Sequence, residues 1–214
     1  MNMTERYTEN QLSALREKIR ARLSPKRFAH TLSVEACARK IGEELLPDAV
    51  SALSAAALLH DIAKELPVDT QRELACRSGI RLTGTELLCP AIYHSFAAVS
   101  VIRSDFPEYA GERILNAVAR HTVGCAEMTV FDEIVFLADF IEDSRTYESC
   151  IAVRNSFWSA FYAAKDSAGK ELALHRGVME SMDRTMQILI GKGNYIGEDL
   201  LFARNAQLKK ILGD

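Results

Sequence analysis

A chain of 214 residues, 48% hydrophobic and 26% charged, has the composition of an ordinary globule and is long enough for one sizeable core. With 26 basic against 29 acidic residues the net charge is -3, which excludes an overall basic footprint for a nucleic-acid backbone, so no nucleic-acid partner is expected. Five widely spaced cysteines exclude a zinc ribbon and argue against a disulfide framework, residues 1–9 hold no signal-type apolar run, and no apolar stretch reaches membrane-spanning length. The expectation is a cytoplasmic protein with no membrane partner.

Apolar residues at i+3 and i+4 spacing (Leu12, Leu15, Ile19, Leu23) predict a first amphipathic helix over 8–23. Ser24-Pro25 reads as an N-cap followed by proline at the first helical position. The helix it opens should run to about residue 46, with Phe28, Leu32, Cys37 or Ala38, Ile41 and Leu45 inside and His30 in its second turn. A third helix is predicted from a cap at Asp48 through Lys64, stopped by Pro67. A short helix over 70–78 ends at Gly79, a candidate left-handed residue, and residues 83–86 open a looser segment. Helix returns over 95–103, and Phe106-Pro107-Glu108 makes a turn. Helices follow from Glu112 to His121, closed by Gly124, and from Thr129 or Asp132 to Asp139. Beyond Arg145 the pattern predicts a broad apolar face over 147–168, a helix over 171–190, a break at Gly191-Lys192-Gly193-Asn194, and a terminal amphipathic helix over 198–212. No strand alternation and no repeat appears. The reading is an all-α, single-domain helical bundle over residues 1–214, with 149–214 packed on the preceding half.

One stretch stands out, Ala55-Ala56-Ala57-Leu58-Leu59-His60-Asp61-Ile62-Ala63-Lys64-Glu65. It begins as an alanine-leucine helix that belongs in a core and ends on an imidazole beside a carboxylate. A buried His-Asp pair needs a partner to offset desolvation, and a metal is the strongest one, because His30, His94, His121 and Asp139 sit at comparable helix ends or turns. Each histidine alone reads as a core or surface residue; their shared context changes that. Asp139 closes the apolar run Ile134–Ala138, where an unpaired charge would be costly. Adjacent helical residues point roughly 100° apart, so His60 and Asp61 need not face one ion together. Asp61 has two oxygens to bridge two ions, with His30, His60 and Asp139 on the first and His94 and His121 on the second. Such a nitrogen-rich set suits Fe, Mn, Co, Zn or Ni and not Ca²⁺.

The pattern His30, His60-Asp61, Asp139 resembles the HD-domain phosphohydrolase superfamily, and His94 and His121 match its binuclear branches. Arg27-Phe28-Ala29-His30-Thr31, Leu58–Glu65, His121-Thr122-Val123-Gly124 and Phe136-Leu137-Ala138-Asp139-Phe140-Ile141-Glu142 more closely resemble the YqeK family; Gly191-Lys192-Gly193 and Ala203-Arg204-Asn205 extend the likeness over nearly the whole chain. The resemblance implies an HD-domain helical bundle and symmetrical hydrolysis of diadenosine tetraphosphate to two ADP. It also implies His30, His60, Asp61, His94, His121 and Asp139 as ligands of two divalent or mixed-valence ions, with iron as the native metal. Ser95, where the family has glycine, and Asp143, where it has proline, depart from the pattern near the expected pocket rim and bear on substrate more than on metal.

Around the ligands, Asp61 and Lys64 are the expected catalytic residues. Lys64 follows Asp61 by three residues and so lies on a neighbouring helical face; it would bind phosphate oxygens or steady transition-state charge, unless it is only a solvated lysine at a helix end. Arg27, Arg145 and Thr122 are the further phosphate-binding candidates, an arginine fork being suited to phosphate oxygens. Glu65 and Glu142 read equally as supports behind the ligands or as surface charges, His175 reads as outside the site, and the aromatics Phe157, Trp158, Phe161 and Tyr162 read as core rather than an adenine platform. Attack by activated water on phosphorus needs no covalent side-chain nucleophile. The implied partners are a dinucleoside polyphosphate or nucleotide substrate and a second copy in a homodimer. Competing readings are another HD-type nucleotidase or phosphodiesterase, and a regulatory nucleotide-binding protein with a structural metal.

Overall fold

The computed structural model describes residues 5–80 and 84–213. Among these the regular elements are ten α-helices joined by short 3₁₀ turns: α1 Glu9–Arg20, α2 Pro25–Leu45, α3 Val50–Leu59, α4 Val68–Arg77, α5 Tyr93–Asp105, α6 Glu112–Arg120, α7 Val130–Ile141, α8 Glu148–Ala163, α9 Ser167–Gly191 and α10 Glu198–Leu212. The all-α bundle expected from the sequence is what forms.

Local chemistry sets most of the starts. Thr8 and Thr129 each make a reciprocal capping box, with Gln11 and Asp132 respectively. Ser24 accepts from the Arg27 amide with Pro25 behind it, and Asp166 accepts from the Gly169 amide. The Asp166 cap explains why α9 begins four residues ahead of the expected 171, and why α8 stops at Ala163 rather than near 168. Residues 83–86 were expected to be loose; Thr83 lies outside the described residues, while Glu86–Leu88 and Pro90–Ile92 form single 3₁₀ turns.

Helix α3 is the centre. Every residue from Ala52 to Leu59 is buried, as befits a helix apolar on all sides, and α1, α2, α6 and α7 pack around it. Its small side chains admit these neighbours closely, while Leu53, Leu58 and Leu59 each contribute about 1.5–3 kcal/mol of burial. On α2 the inner face is His30, Thr31, Val34, Glu35, Ala38, Ile41 and Gly42, so the stripe is rotated from the expected one: Phe28, Leu32, Cys37 and Leu45 lie at its half-buried margins. Of the polar residues on this face, Glu35 is held by a bidentate bond from Arg16 (2.6 and 2.9 Å). The last three helices form a second layer, α8 on α9 and α9 on α10, joined to the first through α7 and α2.

The third helix departs from expectation at both ends. Asp48 does not cap it but pairs with Arg6 on the surface at 2.8 Å, and a 3₁₀ turn at Pro47–Ala49 leads in. At the other end the helix stops at Leu59, not Lys64. The amides of Ile62, Lys64 and Leu66 bond back three residues, to Leu59, Asp61 and Ala63, so the chain tightens into successive turns. His60 assists by donating from Nδ1 to the Ala57 carbonyl (2.6 Å).

Gly124, at φ +72°, ends the segment after α6 as expected. A Cβ there would lie 2.9 Å from Met128 Sδ and Met182 Cε and 3.0 Å from Ala203 Cβ, where the C-terminal layer docks. Gly124→Ala therefore combines left-handed strain with overpacking and should cost about 2–4 kcal/mol, read as a lower urea midpoint at unchanged slope. Among the described residues, no helix is long and apolar enough to cross a membrane.

Candidate metal centre

Six side chains from five places in the fold meet beside the end of α3. His30 comes from the second turn of α2, His60 and Asp61 from the tight turn after α3, and His94 from the first turn of α5. His121 follows α6 directly, and Asp139 lies in the last turn of α7. All four histidines and Asp61 are buried, His60 completely. Because the chain leaves helical register at His60, the adjacent pair does converge: His60 Nε2 is 3.5 Å from Asp61 Oδ2.

The two oxygens of Asp61 look in different directions. Oδ2 faces His60 and His30 (Nε2 at 3.8 Å), whose ring nitrogens in turn lie 3.8 and 3.0 Å from Asp139 Oδ1. Oδ1 faces His94 Nε2 at 3.3 Å and His121 Nε2 at 3.7 Å, themselves 3.1 Å apart. Donor atoms of His30, His60 and Asp139 lie within 4.8 Å of one another, as do those of His60, Asp61 and His121, so each trio is compact enough to hold an ion.

The donor atoms are prepared for a cation. His60 and His121 hold their rings through Nδ1 on the Ala57 and Val118 carbonyls (both 2.6 Å), and His30 through Nδ1 on Glu142 Oε1 (3.1 Å). That leaves Nε2 of each ring pointing inward, the arrangement by which a second partner fixes a metal-binding tautomer. His60 Nε2 is buried and makes no hydrogen bond at all. An orphan of that kind in a set of four imidazoles and two carboxylates fits a transition metal.

Charge follows the same design. Burial alone would raise the Asp61 carboxyl, but His60, His121 and His94 around it hold it well below the usual carboxylate range. Asp139 behaves alike, burial being overridden by the His30 hydrogen bond and by Arg145. Burial, helped by His121 and Lys64, pushes His94 well below its usual value and keeps that imidazole neutral, as a ligand must be. His30 is the exception: burial is outweighed by its bonds to Asp139 and Glu142, and its pKa rises to about 9. A metal held at Nε2 would take the place of that proton.

The expected phosphate contacts are all at the cluster. Lys64 is not a solvated helix-end lysine; its Nζ lies 3.2 Å from both ring nitrogens of His94, and burial lowers its pKa. Arg27 Nη1 donates to Asp61 Oδ2 (2.7 Å), Arg145 Nη2 to Asp139 Oδ1 (2.6 Å), and Thr122 Oγ1 is 3.2 Å from His94 Nε2. Both arginine side chains remain about 30% exposed, so they form a rim between the buried cluster and solvent.

The structure also separates the two glutamates the sequence left undecided. Glu142 is buried on His30, and that bond, with those from Ser33 and Ser144, overcomes burial to bring its pKa to about 2. Glu65 instead accepts from the amide and hydroxyl of Ser24 at the start of α2 (2.7 and 2.5 Å), tying the His60-Asp61 turn to the helix that carries His30. His175 donates its ring nitrogen to Glu133 (2.7 Å), away from the six. Of the aromatics, Phe157 and Phe161 are core, whereas Trp158 and Tyr162 stack at 5.3 Å under the Lys40 ammonium. Arg154, which no sequence pattern singled out, bonds the carbonyls just beyond Asp139.

An HD domain family model matches residues 27–142, a span that contains all six clustered residues. This chain belongs to the HD domain family. The family comprises metal-dependent phosphohydrolases. Among curated relatives, the symmetrical bis(5'-nucleosyl)-tetraphosphatase of Bacillus subtilis is 24% identical over 87% of this chain and 92% of its own length. The protein of that name from Staphylococcus aureus is 27% identical over 80% and 81%. A probable nicotinate-nucleotide adenylyltransferase/Ap4A hydrolase of Mycoplasma genitalium is 32% identical over 61% of this chain, which covers 36% of that longer protein. Among solved structures, that of a predicted HD superfamily hydrolase involved in NAD metabolism, from Clostridium acetobutylicum, superposes with a TM-score of 0.77 at 22% identity, over 95% of this chain and 98% of the other. That likeness concerns the fold.

Proposed function

We propose that this HD-domain chain is a symmetrical diadenosine tetraphosphate hydrolase that yields two ADP at a centre of two metal ions, iron being the first choice and Mn, Co, Zn and Ni the alternatives. The observation that carries the reading is Asp61, whose two oxygens face two separate sets of imidazoles, in a chain aligned over most of its length with relatives named for that reaction. His30, His60 and Asp139 would hold one ion, His94 and His121 the other, with Asp61 shared between them. Bound there, the metals supply Lewis-acid neutralisation of phosphoryl charge and activation of water.

The chain's own groups do the rest. Lys64 presents a compact positive charge beside His94, on the Oδ1 side of Asp61, where it can meet a phosphate oxygen whose charge grows in the transition state. Arg145, on the opposite side at Asp139, has a fork suited to the departing ADP, and Arg27 reaches Asp61 from the rim between them. Thr122 offers a hydroxyl at His94. Cations on both flanks of the cluster suit a polyphosphate lying across it, cut near its middle.

The product distribution tests this. Metal-loaded protein given diadenosine tetraphosphate should release ADP as the sole nucleotide. AMP with ATP would contradict symmetrical cleavage, and no turnover beside activity on a mononucleotide or cyclic nucleotide would move the chain to another branch of HD phosphohydrolases. Metal binding without hydrolysis of any of these would leave a regulatory protein.

A further inference from the structure

We propose that Arg154 is a positioning residue for the metal centre: from α8 it clamps the end of α7, so that Glu142 and Arg145 hold two of the ligands in place. The inference rests on the metal-centre reading above and goes beyond it, since Arg154 touches none of the six clustered residues.

A helix leaves its last carbonyls without intrahelical partners, and its C-terminal end is negative, so a cation there is favoured. Helix α7 ends at Ile141, only two residues past Asp139, which makes the state of this end decisive for a ligand. The Ala138 carbonyl accepts from the Glu142 amide (3.0 Å) and the Asp139 carbonyl from Arg145 Nε (3.1 Å). The Ile141 carbonyl accepts from Arg154 Nε (2.5 Å). The other arm of the same guanidinium, Nη2, donates to the carbonyls of Glu142 and Arg145 (2.8 Å for the latter). One planar group thus bonds three carbonyls, at both ends of a four-residue loop, a geometry that suits arginine's rigid fork. Its side chain is only 15% exposed, and its nearest acid, Asp143, is 3.9 Å away and solvent-exposed, so the carbonyls are its principal partners.

What the loop carries gives the clamp its meaning. Glu142 grips His30 through Nδ1, and Arg145 grips Asp139 through Oδ1. His30 and Asp139 stand 3.0 Å apart on the Oδ2 side of Asp61. A shift of the loop therefore moves both supports at once, and with them half of the centre. Partners that orient metal ligands change metal affinity when they are lost; Arg154 acts one step further out, by holding two such partners together.

The test is a Mn²⁺ titration of the chelator-stripped full-length protein, by calorimetry, with the thermal midpoint measured beside it. Arg154→Ala should weaken Mn²⁺ binding about 10–100-fold. Arg154→Lys, which keeps the charge but not the fork, should recover part of that loss. Combined with Glu142→Gln, the Arg154→Ala effect should be less than additive, because both act on His30 through one loop. A folded Arg154→Ala protein that melts lower yet binds Mn²⁺ with wild-type affinity overturns the proposal and leaves Arg154 a packing residue. Should Arg154→Ala not fold, Arg154→Lys decides alone: weaker binding supports the clamp and unchanged binding overturns it. Failure of the wild-type protein to bind any Mn²⁺ would sink the metal reading and this inference with it, whereas a defect-free variant of a binding-competent protein sinks only the inference.

Discussion

Asp61→Ala is expected to remove metal binding and hydrolysis together, lowering turnover by about 10³-fold or more. The magnitude follows from the several kcal/mol of transition-state charge stabilisation that metal ions supply, at 1.36 kcal/mol per factor of ten. Asp61 lies 3.3–3.8 Å from ring nitrogens of His30, His60, His94 and His121 at once, so its loss disconnects the two halves of the cluster. Asp61→Asn, which keeps the shape and one acceptor oxygen, should fold at least as well and still fail to restore activity, because an amide lacks the carboxylate's charge. Metal content by elemental analysis and ADP release by chromatography read the two effects. An Asp61→Ala protein that retained metal and a tenth of wild-type turnover would contradict the role assigned to it.

The largest effect on stability is expected at Glu133, in the first turn of α7, six residues before Asp139. This carboxylate is fully buried and accepts from His175 Nδ1 (2.7 Å), Gln207 Nε2 (2.9 Å) and Lys210 Nζ, which ties α9 and α10 to α7. Removing one partner of such a network leaves the others desolvated and uncompensated, so Glu133→Ala should cost about 3–5 kcal/mol in urea unfolding. The cost should depend on pH in a definite sense. Burial would raise Glu133, but His175 and Lys210 outweigh it and its folded pKa lies below the usual 4.5. Its contribution is therefore fully present above that value and is lost as pH falls through the lower folded pKa. The gap between wild type and Glu133→Ala should narrow on acidification below about pH 4.5 and stay constant toward neutrality on Glu133's account. A gap that widened in acid would mean that the network is not held by the charge.

Much of this arrangement was legible in the residues themselves. Ser24-Pro25, and the pair Thr129 and Asp132 between which the start was open, announced the helices that carry His30 and Asp139, because capping chemistry is local; the structure makes Thr129 the cap and Asp132 its capping-box partner. The alanine-leucine run of α3 announced a buried centre, and the shared setting of four histidines and two aspartates announced a cluster. The place where α3 ends was not legible. Ala63 is a strong helix former and neither Gly nor Pro intervenes before Pro67; what stops the helix at Leu59 is the convergence of His60 and Asp61 on groups from α2, α5, α6 and α7, a tertiary cause. Glu142 was undecidable for a similar reason: its place on His30 joins residues 112 positions apart. Arg154 carried no signal, since its partners are backbone carbonyls, which every sequence contains. The residues already suggested a division of His30 and Asp139 from His94 and His121; what they could not give is the distances, which put the first pair on the Oδ2 side of Asp61 and the second on the Oδ1 side.

That division is the centre of the account, and metal stoichiometry tests it most directly. Protein purified anaerobically, reconstituted with iron and freed of excess metal should hold about two ions per chain, and the Asp61→Ala protein should hold neither. One ion or fewer per wild-type chain, with full hydrolytic activity, would contradict it.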